Sequence, residues 1–361
     1  MSAAGDSLEK ISTTSPCIGI YRTRYAGDIL LLVPLLHQIR KSIPDSSFFL
    51  IVNEGTEFPL KQLQIPFFPF RRGKSFEKIE SARELGKILG NKKFDLWVDL
   101  TMSDRSRFFT KRVHARLKVG AGWAEDHRTS DPYDLFFPYD YNHGPQHVTV
   151  FTESVFMKSG LNLHSGPPDF SVPPDLAEQQ NVDQFLRENE MTEKPILVVH
   201  PGARHWFKRW SPDRFGQVGS WWSEKTGGSV VITGTEDEET LMESVAACLK
   251  PEVHRVTLHR SFSFLHSLLS RAFLFIGNDS APLHLARSAG TPLIALFGST
   301  MPQVWGPIPS PSQTVFYHPP ACSPCNHTGC SMEEGNCLRQ ITVEEVIRAI
   351  GKMRADGRIR A

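Results

Sequence analysis

Short continuous apolar runs, separated by amphipathic stretches, set the pattern of the chain. Such runs fall at 17–21, 48–52 and 96–100 in the first half, and at 196–200, 230–233, 273–277 and 293–297 in the second. Most are continuous rather than alternating, as in parallel strands buried on both faces of a sheet. Between them, 30–41, 76–89, 212–225 and 238–249 repeat apolar positions at helical spacing. Strand and helix alternate, so the pattern predicts an open α/β sheet in each half. Gly166-Pro-Pro-Asp and Val172-Pro-Pro-Asp crowd four prolines between the halves. Proline supplies no ladder donor and disfavours helix before it, so 164–180 reads as a linker, with a helix over 176–189. The division expected is a domain over 15–170, a second over 180–345, and a C-terminal helix and tail over 342–361. Ligands of such folds bind at the carboxyl edges of the sheets, which points to an interdomain cleft.

Length and charge narrow the function. A chain of 361 residues fits two cores better than one. Forty Lys and Arg against 39 Asp and Glu argue against a nucleic-acid binder, which carries a clear basic excess. The longest apolar run, 29–36, contains Pro34 and is far short of the roughly 20 residues a membrane span needs. Residues 1–16 lack the basic and apolar regions of a secretory signal, which makes the cytoplasm the expected compartment. No G-x-G-x-x-G follows a strand, against a dehydrogenase, and no D-x-D pair is present to hold a metal–diphosphate.

Four loops at strand ends carry candidate chemistry. Asn278-Asp-Ser-Ala-Pro-Leu-His-Leu-Ala follows a strand and opens a helix; Asp279 and Ser280 there fit either a helix cap or an anion site suited to a pyrophosphate. His200-Pro-Gly-Ala-Arg-His-Trp-Phe-Lys-Arg-Trp places Arg204, Lys208 and Arg209 over a strand end, with Gly202 allowing close backbone approach. Thr233-Gly-Thr-Glu-Asp-Glu-Glu offers carboxylates for ribose hydroxyls, Glu236 first among them. In the first half Asp28, after Gly27, reads as a helix N-cap or as a general base.

Together these segments resemble the family 9 glycosyltransferases, over about 17–350. Arg24-Tyr-Ala-Gly-Asp-Ile-Leu-Leu with Pro34-Leu-Leu and Arg40 is similar to the family's opening motif. His200-Pro-Gly-Ala-Arg with Lys208-Arg-Trp resembles its second motif, and Asp279-Ser-Ala-Pro-Leu-His-Leu-Ala its third. The resemblance implies a GT-B architecture, two Rossmann-like domains with parallel sheets facing a cleft, acceptor on the first and nucleotide-sugar on the second. It implies inverting, metal-independent transfer of heptose or a related sugar, with ADP-heptose as donor and a lipopolysaccharide core or other surface glycan as acceptor. Position by position, Asp28 takes the general-base role, Lys208 the diphosphate contact and Glu236 the ribose contact. Gly202 and Ala203 match the turn beside the phosphates, and Asp279, Ser280, Ala281 and His284 the donor-binding turn. Ala281 stands where many members have glycine, so a need for positive φ or very close approach there would slightly alter donor geometry. A protein heptosyltransferase, or a non-catalytic homologue retaining the donor pocket, is the alternative, and a sugar-nucleotide epimerase a third class.

An anionic glycolipid acceptor calls for cations in the first domain. Residues 105–118 carry six cations and no acid, with Phe108 and Phe109 interleaved, and Arg71, Arg72 and Lys74 add three. Arg22, Arg24, Arg71, Arg72, Arg105 and Arg107 are the expected acceptor contacts, a solvated helix face being the other reading of 105–118. The same cations suit an anionic membrane surface, hence peripheral residence at the inner face of the plasma membrane. Cys322, Cys325, Cys330 and Cys337 cluster late in the chain. Their spacing fits a structural zinc or iron without a catalytic part, or buried unliganded thiols; no cofactor is expected for catalysis.

Overall fold

The computed structural model describes residues 14–139, 144–164, 166–323, 325, 330 and 337–359. The chain divides into two units, 1–170 and 171–361. In the first, β1 (Cys17–Arg22), β2 (Ser47–Asn53), β3 (Phe67–Phe70), β4 (Lys93–Asp99), β5 (His114–Trp123) and β6 (Leu135–Tyr139) form one sheet in the order β3-β2-β1-β4-β5-β6. In the second, β7 (Ile196–His200), β8 (Ser229–Thr233), β9 (Arg255–Leu258), β10 (Leu274–Asn278), β11 (Leu293–Phe297) and β12 (Gln313–Tyr317) form another, in the order β12-β11-β10-β7-β8-β9. All pairings are parallel. Both sheets therefore repeat the Rossmann order, which reverses between β1 and β4 and between β7 and β10. A crevice opens at the carboxyl ends of strands at such a reversal.

The central strands are the continuous apolar runs of the sequence. At β1, Gly19 is required by close approach, because a Cβ there would lie 2.3 Å from Trp97 Cε3. Trp97 is fully buried, donates from Nε1 to Thr110 Oγ1 at 2.9 Å, and packs with Tyr21, Phe70 and Phe109 under the first sheet. In the second unit Trp210, Phe215 and Trp222 share a core with Val343, Val346, Ile350 and Met353 of the helix Val343–Ala355. The C-terminal helix is thus part of the second core.

Five strands lie outside the apolar runs. β3, β6, β9 and β12 are edge strands or lie next to nothing on one side, and β5 is half-exposed along His114–Lys118, so each needs fewer apolar residues. β5 also takes the end of the cationic run, which limits the helix there to Asp104–Arg112. The helix expected over 30–41 is broken into Ala26–Leu30 and Val33–Ser42. Pro34 supplies the reason, since it has no N–H for the Leu30 carbonyl and is tolerated only in a first turn.

Candidate functional site

At the carboxyl edge of the second sheet, Asn278 closes β10 with no exposure to solvent. Its Oδ1 accepts from the Trp210 N–H at 3.0 Å and its Nδ2 donates to the Pro201 carbonyl at 2.8 Å. The loop leaving β7 is therefore tied to β10 at both ends. Within the loop, Arg209 Nε donates to the Ala203 carbonyl at 2.9 Å. These ties hold Lys208 beside the next strand end, where its Nζ meets Asp279 Oδ2 at 2.8 Å. Thr300 Oγ1 donates to the same oxygen at 2.6 Å. The two motifs picked from separate segments of sequence are one constellation.

Capping does not explain Asp279 or Ser280. Ser280 occupies the N-cap of the helix Ala281–Ser288, yet its hydroxyl donates back to the Asn278 carbonyl at 3.2 Å and makes no cap bond. The Asp279 carboxylate is engaged by Lys208 and Thr300. The helix start has no side-chain cap bond and directly follows Asp279, which holds Lys208, an arrangement suited to an anion. Ala281 is the first helical residue, and positive φ at non-glycine positions among the described residues is confined to Gln64, Met102 and Glu190. The positive φ that would call for glycine is therefore absent at Ala281. His284, in the following turn, is buried, at 7% exposure.

Gly202 lies against the Glu238 carboxylate: a Cβ would lie 2.2 Å from Oε1, so a side chain there would have to displace that carboxylate. Glu238 thus packs on the loop after β7, with its Oε2 accepting from the Thr235 N–H at 3.0 Å. Glu236 is exposed at the end of β8. His200 is buried, with Nδ1 3.0 Å from the Thr233 carbonyl; burial holds its pKa below the ordinary histidine value, and the Glu238 charge opposes that shift.

At the corresponding edge of the first sheet, Asp28 lies in the short helix Ala26–Leu30, whose N-cap is Tyr25, and Asp28 is the third helical residue of its capping box. Its Oδ2 accepts from the Tyr25 N–H at 2.9 Å and its Oδ1 pairs with Arg22 at 2.5 Å. Arg22 also donates to the Leu100 carbonyl, and Arg24 to that of Thr101 at 3.1 Å. Arg72 donates to the Arg24 carbonyl at 2.6 Å, and Arg105 to Thr23 Oγ1 at 3.2 Å while lying 4.1 Å from the centre of the Phe70 ring. Arg22, Arg24, Arg72 and Arg105 therefore gather where β1 and β4 diverge.

The family model for glycosyltransferase family 9 (heptosyltransferase) matches residues 82–335. The chain belongs to glycosyltransferase family 9. It is similar to lipopolysaccharide heptosyltransferase 3 of Escherichia coli, at 28% identity over 291 residues, which span 79% of this chain and 84% of that protein. The crystal structure of a family 9 glycosyl transferase from Veillonella parvula matches with a TM-score of 0.79 at 20% identity, over 94% of this chain and 98% of that one. The E. coli heptosyltransferase WaaC, solved with ADP, matches with a TM-score of 0.70 at 19% identity, over 93% and 99%. The fold is GT-B, and this family 9 chain is a glycosyltransferase.

Arg71 and Arg107, also expected at the acceptor, stand apart from Arg22, Arg24, Arg72 and Arg105. Arg71 pairs with Glu80 at 2.8 Å. Arg107 is 11% exposed, its Nε bonded to Asp131 at 2.6 Å and its terminal nitrogens to the Met102 and Asp126 carbonyls; it staples loops together. Sequence reasoning also passed over Asp99, which is fully buried. Its Oδ1 accepts from the Thr101 and Met102 amides at 2.8 and 2.9 Å and its Oδ2 from Tyr133 at 2.8 Å, with burial raising its pKa. Asp99 thereby shapes the turn whose carbonyls hold Arg22 and Arg24. A polar residue closing an apolar run was the available signal for both Asp99 and Asn278.

The zinc or iron considered for Cys322, Cys325, Cys330 and Cys337 is not supported. Among the described residues no group of three or more His, Cys, Asp or Glu side chains is arranged to hold a metal. Cys337 is buried against Gly298, and burial, then the neighbouring Cys325, Cys330 and Cys322, pushes its thiol up to about 11. Residues 324, 326–329 and 331–336 lie outside the described ones.

Proposed function

We propose that this glycosyltransferase moves heptose from ADP-heptose to the anionic core of a lipopolysaccharide, with inversion and without a catalytic metal. The observation that carries the reading is Lys208, held on Asp279 beside an uncapped helix start at the β7–β10 divergence. A fixed ammonium and aligned N–H groups can take up charge growing on a departing diphosphate, the task a metal performs elsewhere. The likeness to WaaC bearing ADP supports an adenine nucleotide, and the relative named lipopolysaccharide heptosyltransferase supports the acceptor.

In the reaction Asp28 takes the proton of an acceptor hydroxyl as that oxygen forms its bond to the anomeric carbon. The bond from that carbon to the diphosphate breaks on the opposite face, and ADP leaves against Lys208 and the Ala281–Ser288 helix start. Arg22 and the Tyr25 amide hold the Asp28 carboxylate in one orientation. Glu236 reaches the ribose, Gly202 and Ala203 back the phosphates, and His284 lies behind the donor turn. Arg24, Arg72 and Arg105 attract the acceptor's phosphates or sugar acids. The enzyme works in the cytoplasm, at the inner face of the membrane that carries its acceptor. Among the described residues no helix is long and apolar enough to cross a membrane.

The test is transfer from ADP-heptose to a heptose-deficient lipopolysaccharide core in the presence of EDTA, with the new linkage assigned by NMR. Product of inverted configuration at an undiminished rate is expected. Transfer from another nucleotide-sugar alone, transfer only with added divalent metal, or retention of configuration would refute the corresponding part.

A further inference from the structure

The segment that carries the cysteines touches the donor site through one turn. β11 ends at Phe297, and Gly298, Ser299 and Thr300 follow. Ser323 Oγ donates to the Gly298 carbonyl at 2.8 Å, and the Cys325 amide to that of Ser299 at 2.8 Å. Cys337 Sγ lies so close to Gly298 that a Cβ there would be 2.4 Å from it, with Leu338 Cγ at 3.2 Å. Gly298 and Ser299 are buried. The turn is thus fixed from several sides, and its last residue, Thr300, donates to Asp279 Oδ2 at 2.6 Å.

We propose that Thr300 is a positioning residue of the donor site, held in place by the cysteine-bearing segment. The inference rests on the donor-site reading given above. Lys208 and Thr300 both donate to Oδ2 of Asp279, and no donor among the described residues reaches Oδ1. A threonine hydroxyl has one proton to give, and here it goes to the carboxylate. Two donors on one oxygen fix the rotation of the carboxylate and leave Oδ1 as the acceptor for a hydroxyl of the sugar. They also restrict Lys208 to one oxygen of Asp279, so that its remaining two protons can meet the diphosphate. Without Thr300 the carboxylate can turn and draw Lys208 onto both oxygens, away from the donor. Thr300 touches Asp279 and need not touch substrate. Ser323, Cys325, Cys337 and Leu338 buttress the turn through the contacts given above.

The nearly isosteric variant Thr300→Val removes the hydroxyl alone. Steady-state kinetics with ADP-heptose, and calorimetric titration with ADP, should show donor KM and ADP Kd raised about ten-fold or more, as for loss of a hydrogen bond to a charged group. Acceptor KM should stay within about two-fold, and Thr300→Ser should restore donor KM to within about three-fold. Adding Thr300→Val to Asp279→Asn should cost little more, since coupled residues do not add. An unchanged donor KM in Thr300→Val, an equal rise in acceptor KM, or failure of Thr300→Ser to rescue would overturn the inference. Lys208→Ala separates the two levels. If it also leaves ADP affinity unchanged, the donor-site reading itself fails. If it weakens ADP while Thr300→Val does not, only the positioning role falls.

Discussion

Removing the Lys208 ammonium tests the donor site most directly. In the free protein the lysine faces Asp279 at 2.8 Å, with side-chain exposures of 20% and 15%. Because both groups reach water and Asp279 keeps its bond from Thr300, Lys208→Ala should cost only about 1 kcal/mol of stability, or about 2–4 °C in Tm. Catalysis should suffer far more. Two unit charges about 4 Å apart at an effective dielectric near 20 interact by about 4 kcal/mol. Loss of one preorganised contact to a developing oxyanion costs about 3–4 kcal/mol of barrier, two to three decades in rate. Part of this falls on ADP affinity and part on kcat, because the cation meets diphosphate charge in the ground state and more of it in the transition state. Calorimetry with ADP, transfer kinetics with ADP-heptose and a thermal melt separate the three effects. A variant that melts several degrees lower while keeping its ADP Kd and kcat would mean that Lys208 is a structural ion-pair partner and nothing more.

Asp28→Asn should lower kcat by two decades or more while ADP Kd stays within a few-fold, since the base meets the acceptor proton and not the nucleotide; near-normal turnover would return Asp28 to holding Arg22. Asn278→Ala should cost about 2–4 kcal/mol by leaving the Trp210 amide and the Pro201 carbonyl buried and unpaired, and should weaken ADP in the same protein; a melt unchanged from wild type would refute the tie between β10 and the loop. His266, 1% exposed, has its pKa pushed down by burial to about 4. The unfolded imidazole takes its proton near pH 6.5 and the folded one does not, so the stability it contributes is complete above about pH 6.5 and is lost as pH falls toward 4, by up to about 3 kcal/mol. Over that window the wild type should lose stability relative to His266→Phe as the pH drops, and a stability difference that stays constant would exclude the histidine as a source of acid lability.

The amino-acid pattern determined the central strands, because a parallel strand covered on both faces must be apolar along its whole length. It also singled out Asp28, Lys208 and Asp279 as charged residues in loops at strand ends, where capping and ligand-binding readings fit equally. The edges escaped it. β3, β9 and β12 bury less, so burial imposes less on their sequence, and β5 follows directly on a cationic helix whose charges mask the change of element. Partnership was decided only by the tertiary structure. Lys208 and Asp279 lie 71 residues apart, and Arg22 and Leu100 lie 78 apart. They meet because parallel pairing brings the carboxyl ends of β7 and β10, and of β1 and β4, side by side. Six arginines looked equivalent along the chain, but Arg107 is held by Asp131 and two loop carbonyls and Arg71 pairs with Glu80 at the surface, while Arg22, Arg24, Arg72 and Arg105 gathered at one strand divergence. Glu238 lies on Gly202 instead of Glu236 because a one-turn helix after Thr235 folds the third residue back onto the loop. A side chain's type is written in the sequence, but the group it faces depends on which distant backbone the sheet has placed within 3 Å of it.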